Sequence, residues 1–228
     1  MRIGVLGGSF NPVHLGHLLI AQETANLLEM DQVHLVVAAV PPHKEQEELM
    51  DAEARYEMVQ LACRNNPLLH PSRVELDRKG PSFTIDTMRQ FVDEYGPDCH
   101  FITGQDAMED ISTWKSALTL LKTVNFVVTA RYGYDQSTLA QFIQATLSAR
   151  YHNLKFHDIV TSHEGRLASL RVSGASTVIN ILKTPRVEIS SSDIRARLAA
   201  GRTVKYLVPE DVERYLNDEK PFGKNIKG

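Results

Sequence analysis

Residues 7–17 read Gly7-Gly8-Ser9-Phe10-Asn11-Pro12-Val13-His14-Leu15-Gly16-His17, and this stretch decides the predicted fold. It follows a short apolar run at residues 3–6, which predicts a buried strand, and it leads into a predicted helix at residues 14–29. Glycines let the backbone turn sharply and approach a phosphate chain, and the first amides of a helix are unpaired donors with partial positive charge. A strand, a glycine loop and a helix in this order therefore predict an anion-binding site.

Two histidines stand at the start of this predicted helix. His14 and His17 are three residues apart and share one helix face, and Gly16 between them removes a side chain, so a base or sugar can lie close to the helix backbone. The two imidazoles would then point at the same anion. Without the preceding loop, the same pair is also typical of solvated histidines, core histidines or a partial metal site.

Apolar runs alternate with segments of helical periodicity along the rest of the chain. Strands are predicted at residues 33–40, 73–76, 99–103 and 125–130, and helices at 51–64, 85–95, 116–122, 138–148, 193–200 and 209–217. This alternation predicts an α/β fold with a Rossmann-like parallel sheet, helices on both faces and a small C-terminal helical part. Ligands bind such sheets beyond the carboxyl ends of the strands, where the strand order reverses. We expect a single domain over residues 1–228.

Composition limits the function classes. The 228 residues are 43% hydrophobic, enough for a core without disulfides or structural metal, and the net charge of −3 gives no overall attraction to nucleic acid or membranes. Cys63 and Cys99 lack metal or redox spacing and are expected to be buried free thiols in a reducing cytosol. Residues 3–8 are too short an apolar stretch for a signal peptide or membrane span, so the expected location is the cytoplasm.

A second candidate segment reads Ile189-Ser190-Ser191-Ser192-Asp193-Ile194-Arg195. Serines before a helix commonly cap it, and Arg195 in the first turn can be solvated. Alternatively, the hydroxyls, the helix amides and the guanidinium contact phosphate oxygens together. Lys44, in Pro41-Pro42-His43-Lys44, is either a surface lysine or a compact charge at the ligand edge of the sheet, because a predicted strand ends just before it.

These two segments resemble the H-x-G-H and I-S-S-T-x-I-R motifs of the nucleotidyltransferase superfamily, with Ser192 in place of the threonine. The resemblance implies ATP binding by Gly7, Gly8, Ser9, Phe10, Gly16, Ser190, Ser191 and Ser192. It also implies that His14, His17, Lys44 and Arg195 stabilise charge at the reacting phosphates. A dehydrogenase is disfavoured, because residues 4–9 lack the G-x-G-x-x-G pattern.

Two further segments indicate the acceptor. Pro81-Ser82-Phe83-Thr84-Ile85-Asp86-Thr87 resembles the S-x-T-x-D-T segment of bacterial nicotinate mononucleotide adenylyltransferases, and Gly104-Gln105-Asp106-Ala107 resembles their G-x-D-A segment. The resemblance places Thr84, Asp106, Trp114 and Arg131 at the mononucleotide, with Trp114 stacked on the pyridine. Read by themselves, Thr84 and Asp106 could cap helices, and Trp114 could be a core residue.

The resemblance covers nearly the whole chain but thins between residues 134 and 186. Asn11 stands where many bacterial members have aspartate, and Arg131 lies in Ala130-Arg131-Tyr132-Gly133 where R-P-G is usual. The stretch at residues 134–183 is longer than in typical members and belongs to the core or forms an added lobe or homo-oligomer contact. The acid-to-amide preference stays open at this point, and a pantetheine-phosphate adenylyltransferase is disfavoured because that family is shorter and lacks the 82–87 segment.

The implied reaction is in-line attack by the mononucleotide phosphate on the α-phosphorus of ATP, with pyrophosphate as the leaving group. Mg2+ is expected to bind mainly through the ATP phosphates, since no dedicated carboxylate cage is visible in the sequence. A non-catalytic nucleotide sensor on the same scaffold is the alternative from another class, because a fold does not fix an activity.

Overall fold

The computed structural model describes residues 1–39, 49–130, 135–157, 159–185 and 187–219. Its strands are β1 Ile3–Gly8, β2 Gln32–Val37, β3 Leu69–Ser72, β4 Cys99–Gly104, β5 Asn125–Ala130, β6 Val160–Ser162, β7 Leu167–Arg171 and β8 Val178–Lys183. Its helices are α1 Leu15–Leu28, α2 Ala52–Cys63, α3 Thr84–Tyr95, α4 Gln105–Glu109, α5 Ala117–Thr123, α6 Gln136–Arg150, α7 Ser191–Ala199 and α8 Glu210–Glu219, and a 3-10 helix lies at Ile111–Thr113.

The eight strands of the described residues form one sheet in the order β3-β2-β1-β4-β5-β8-β7-β6. The first six strands in this order, from β3 to β8, are mutually parallel, while β7 is antiparallel to both β8 and β6. The predicted parallel sheet is confirmed for these six strands, and an antiparallel edge is added to it. The order of the first five strands reverses between β1 and β4, so the ligand crevice of such a fold lies at the carboxyl ends of these two strands.

Helices cover both faces of the sheet, as predicted. One buried cluster packs residues of α3, α5 and α6 against the sheet, including Met88, Leu120 and Leu139. The other cluster, on the opposite face, joins α1, α2, α7 and α8 and includes Ala25 and Met58. Because the central strands have apolar side chains on both faces, they are buried between two helical layers.

The third predicted strand was misplaced. We expected it at residues 73–76, but β3 spans Leu69–Ser72, and residues 73–77 form a turn in which the Asp77 amide donates to the Arg73 carbonyl. The alternation of Val74 and Leu76 was the misleading signal. Pro71 argues against a central strand, and the structure tolerates it because β3 is an edge strand, where a missing amide donor costs little.

The segment at residues 134–183 contains α6 and the strands β6, β7 and β8. β8 pairs with β5 in parallel, so this segment continues the main sheet. Arg166, in the turn between β6 and β7, pairs with Glu23 of α1. The predicted buried free thiols are confirmed for both cysteines, and burial raises the pKa of Cys63 to about 12 and that of Cys99 to about 11.

Candidate active site

The loop after β1 begins later than the sequence indicates. Gly7 and Gly8 are the last residues of β1 rather than the turn itself, and the chain turns at Phe10, which has a φ of 44°. A Cβ on Gly8 would approach the Phe10 ring to 3.1 Å. A side chain at position 8 would therefore require a shift of the buried phenyl ring, which lies directly against the Gly8 backbone.

The two histidines lie side by side at the start of α1. His14 is the N-cap residue and His17 lies in the first turn, with their rings stacked at a centroid distance of 3.7 Å. The His14 backbone amide donates to His17 Nδ1 at 3.2 Å. Since Nδ1 accepts this bond, the ring proton of neutral His17 is on Nε2, which is then a donor.

Gly16 makes room for an imidazole rather than only for a ligand. A Cβ at this position would lie 3.0 Å from His14 Nδ1. The His14 side chain is buried, and this burial lowers its pKa from 6.5 to about 4. His14 is therefore neutral at neutral pH. Within the part of the chain that the structure describes, its buried Nδ1 has no hydrogen-bond partner, which is unusual for a buried polar atom.

The second motif meets the first at the start of α7. Ser191 Oγ donates to the Pro12 carbonyl at 2.9 Å, and Arg195 Nη1 donates to the Asn11 carbonyl at 3.0 Å. Ser190 is the N-cap residue and accepts from the Asp193 amide, so the capping interpretation holds for this serine. Ser191 and Arg195 join two segments that are about 180 residues apart in sequence, and capping alone does not explain those contacts.

The residues expected at the mononucleotide lie around α3 and α4. Thr84 is the first residue of α3, and its N-cap is Phe83, so Thr84 does not cap the helix. Asp106 lies in the first turn of α4, directly after β4, and the N-cap there is Gly104. The capping alternatives for Thr84 and Asp106 are therefore wrong, and Asp106 is at the carboxyl end of a strand beside the point where the strand order reverses.

Trp114 follows the 3-10 helix and is half-buried. Its ring meets Phe101 edge to face, with 5.8 Å between the centroids, and it packs against the core. The next residue, Lys115, pairs with Asp86 at 3.1 Å and lies 4.2 Å from the centre of the Phe83 ring. The segments at residues 82–87 and 104–115 are thus in contact, as expected if both bind the mononucleotide.

Lys44 lies within residues 40–48 and Arg131 within residues 131–134, and both stretches are outside the described residues. Their assignment stays a prediction from the sequence.

Sequence reasoning missed Arg55. Its side chain is 1% exposed, and it donates hydrogen bonds to the carbonyls of Ser9 and Ala38, each at 2.8 Å. Its position gave a signal, because Arg55 precedes Met58 and Val59 by three and four residues and so lies within the apolar stripe of α2. An arginine at this position must either reach solvent through a distortion of the helix or be buried with hydrogen-bond partners.

A cavity of about 470 Å³ lies elsewhere, between α3 and the strands β2 and β3. Arg73 and Arg78 line it, but Arg73 is paired with Glu53 and Asp77, and Arg78 bonds to the Thr87 hydroxyl. These guanidinium groups are already engaged, so this cavity is a weaker phosphate site than the motif loop.

Among the described residues, no group of three or more His, Cys, Asp or Glu side chains could hold a metal ion. No helix in that part of the chain is long and apolar enough to cross a membrane.

Comparison with known proteins decides the family. A family model described as cytidylyltransferase-like matches residues 5–197. A protein of Thermoanaerobacter sp. named as a probable nicotinate-nucleotide adenylyltransferase is 38% identical, over 99% of this chain and 96% of that protein. The chain belongs to the nicotinate-nucleotide adenylyltransferase family. A second relative, from Thermus thermophilus and also named as a probable nicotinate-nucleotide adenylyltransferase, is 40% identical over 95% of this chain and 96% of its own length.

A solved structure shares the fold. The nicotinic acid mononucleotide adenylyltransferase of Plasmodium falciparum, complexed with NaAD, superposes with a TM-score of 0.68 and covers 96% of this chain and 95% of its own. At 16% identity this likeness establishes the fold alone. The family resemblance inferred from the motifs, and the nucleotidyltransferase fold that it implied, are confirmed.

Proposed function

We propose that this nucleotidyltransferase transfers the adenylyl group of ATP to nicotinate mononucleotide, giving nicotinate adenine dinucleotide and pyrophosphate in NAD biosynthesis. The observation that most directly supports this proposal is the contact between the two motifs. Side chains of α7 donate hydrogen bonds to the Asn11 and Pro12 carbonyls, in the loop that leads into the histidine pair. This assembly lies at the strand-order reversal, where nucleotides bind in such folds. The names of the relatives support the choice of substrates.

We assign the triphosphate to an ATP side formed by residues 7–17 and 190–195. Gly7, Gly8, Ser9, Phe10, Gly16, Ser190, Ser191 and Ser192 shape it. The mononucleotide phosphate is already an anion, so the reaction needs no strong base, and catalysis consists of positioning and charge stabilisation. The Nε2–H of His17, neutral His14 and the guanidinium of Arg195 are the groups proposed to contact the reacting phosphates, together with Lys44.

The lowered pKa of His14 separates its proposed role from the roles of the charged side chains. A neutral imidazole contributes a hydrogen bond but no net charge, so in this proposal the positive charge comes from Arg195 and Lys44. The neutral state of His14 also avoids repulsion within the stack, because two imidazolium rings 3.7 Å apart would repel each other.

When bound, Mg2+ would be held mainly by the ATP phosphates and would neutralise part of their charge. Mg2+ prefers oxygen ligands, whereas the histidine pair and Arg195 offer nitrogen groups.

We assign the pyridine to a mononucleotide side formed by residues 82–87 and 104–115, with Arg131 added from the resemblance. The carboxylate of nicotinate needs donors, whereas nicotinamide also needs an acceptor. The N-cap residue Phe83 offers no side-chain bond to the first amides of α3, so the positive end of this helix is available to an anion. Lys115 lies beside it, but its charge is paired with Asp86 in the first turn of the same helix. The support for the acid therefore comes from the uncapped helix start. The buried thiols of Cys63 and Cys99 are compatible with action in the cytoplasm.

The test compares nicotinate and nicotinamide mononucleotides with Mg-ATP, measuring pyrophosphate release and the mass of the dinucleotide product. We expect stoichiometric pyrophosphate and dinucleotide, with the higher kcat/KM for the acid. A preference for the amide would overturn the substrate assignment. ATP binding without pyrophosphate release from either mononucleotide would favour the nucleotide sensor.

A further inference from the structure

Arg55 lies on α2 and makes its contacts away from its own helix. Its guanidinium Nη1 donates to the Ser9 and Ala38 carbonyls, its Nη2 donates to the Ala39 carbonyl at 3.3 Å, and its Nε donates to the Met50 carbonyl at 3.1 Å. Ser9 follows β1, and Ala38 and Ala39 follow β2. One side chain therefore joins the chain segments that leave two adjacent strands at the ligand edge of the sheet.

The contacts of Arg55 continue into the second motif through Asn11. The Met50 amide donates to Asn11 Oδ1 at 3.2 Å, while the Asn11 carbonyl accepts from Arg195. Residues 9–12 are consequently held by side chains of two helices, with Arg55 on the Ser9 carbonyl and α7 on the Asn11 and Pro12 carbonyls. The orientation of the peptide groups in this loop depends on both.

No acid among the described residues contacts the Arg55 guanidinium. In the part of the chain that the structure describes, all its hydrogen bonds go to backbone carbonyls, and Asp51 acts on it only over a longer distance. Burial lowers the pKa of Arg55, while the Asp51 charge opposes this shift. Arginine remains protonated in proteins, so a cation is buried beneath the phosphate loop. Such a charge is screened little by solvent.

We propose that Arg55 is a positioning residue for adenylyl transfer, which fixes the loop at residues 9–12 against the segment after β2 and adds positive potential beneath it. This inference rests on the proposed function. Arg55 does not contact the substrate but acts through the Ser9 carbonyl and the loop attached to it. A planar group with donors in several directions is needed to bond four carbonyls, and lysine has neither the planarity nor the reach.

The test uses Arg55→Lys, which keeps the charge, and Arg55→Gln, which removes it. Met58→Ala is the matched control, because Met58 is fully buried on the same helix but has no polar hydrogen to donate to the loop carbonyls. Steady-state kinetics at 25 °C, melting temperatures and hydrogen exchange at residues 7–12 are measured for each. Binding of a non-hydrolysable ATP analogue is measured separately.

We expect kcat to fall roughly tenfold to a hundredfold in Arg55→Lys, the scale of a lost orienting contact, and further in Arg55→Gln. The KM for the mononucleotide should change less than about threefold, because the mononucleotide side is untouched. Hydrogen exchange should rise at residues 7–12 in both variants but not in Met58→Ala, even at an equal fall in melting temperature.

Three results would overturn the inference: parent-like kcat in Arg55→Lys, a loss of kcat that Met58→Ala reproduces at equal stability, or failure of both Arg55 variants to fold, which would make Arg55 a core residue. Failure of the proposed function is a distinct result. The parent protein would then release no pyrophosphate, while analogue binding and hydrogen exchange would still decide the role of Arg55.

Discussion

The ATP side and the mononucleotide side are held together by different kinds of contact. On the ATP side, buried or half-buried groups from α2 and α7 donate to loop carbonyls at 2.8 to 3.0 Å. On the mononucleotide side, the two segments are joined by the half-exposed ion pair of Lys115 with Asp86 and by packing of Trp114. Exposed ion pairs contribute only about 0–1 kcal/mol, so the mononucleotide side can adjust at little cost.

This difference indicates that the ATP side and the mononucleotide side have different roles in the reaction. Phosphate chemistry requires fixed donors, because the charge that develops in the transition state is stabilised only by groups already in place. Recognition of the pyridine tolerates adjustment, because it affects binding more than the chemical step. Substitutions on the ATP side should therefore reduce kcat, and those on the mononucleotide side should raise KM.

The largest effect is expected for His17→Ala. Turnover should fall by roughly 10² to 10³, the scale for removal of one transition-state donor, while the KM for ATP changes much less. His152→Ala, at an exposed position, is the matched control and should match the parent. Steady-state kinetics with both substrates measure the effect in each variant. Near-normal turnover in His17→Ala would remove His17 from the mechanism and return it to an ordinary helix-start histidine.

The buried state of His14 should make stability depend on pH. Its pKa is about 4 in the folded protein and 6.5 in the unfolded chain, so between these values the unfolded state binds more protons. The free energy of unfolding should thus rise with pH across this window, with a contribution from His14 of up to about 3 kcal/mol.

Denaturant unfolding of the parent and of His14→Asn at pH 4.5 and pH 7.5 measures this contribution. His34 has a similarly lowered pKa of about 4, but it is retained in the variant, so the difference between the two proteins isolates His14. An equal change in unfolding free energy in both proteins would show that the His14 pKa is close to its ordinary value. His14 could then carry charge in the reaction.

A smaller effect is expected for Arg195→Lys. Lysine keeps the charge but cannot bond the Asn11 carbonyl and a phosphate oxygen with one planar group. We expect kcat/KM for ATP to fall roughly tenfold to thirtyfold, which corresponds to one charge-assisted hydrogen bond. Arg197→Lys on the same helix is the control, because Arg197 pairs with Asp193 at the surface. Equal kinetics in the two variants would reduce the second motif to a helix start.

Sequence alone predicted most of the parallel core and the meeting of the two motifs. Apolar runs such as residues 125–130 determine buried strands locally, and β5 has these bounds. The edges of the sheet were harder. β3 contains Pro71, and the β6 residues are exposed, so neither has the pattern of a buried strand. Edge strands depend on pairing with neighbours that are distant in sequence, and residue periodicity does not encode that pairing.

The candidate site shows the same limit. Its glycines and histidines are adjacent in sequence and carry a recognisable motif, whereas Arg55 acts through carbonyls of residues 9, 38, 39 and 50. Any residue type offers a backbone carbonyl, so the partners of Arg55 leave no mark in the sequence. The low pKa of His14 was missed for a similar reason, because it results from burial rather than from a neighbouring charge.

The smallest effect is expected for Trp114→Ala, which separates stacking on the pyridine from packing. Trp114 is half-buried and contacts Phe101, so its removal should lower the melting temperature, but by less than the about 3–5 kcal/mol that a fully buried tryptophan would cost. If it also stacks on the ring, the KM for the mononucleotide should rise roughly threefold to tenfold, while the KM for ATP stays near the parent value.

Phe101→Leu is the control that makes this measurement decisive. It removes the edge-to-face partner from the core side and leaves the indole ring in place, so it should lower the melting temperature without raising the KM for the mononucleotide. If Trp114→Ala and Phe101→Leu changed stability alike and left both Michaelis constants unchanged, Trp114 would be a core residue. The mononucleotide side would then lose its stacking surface, and its specificity would have to rest on the uncapped start of α3.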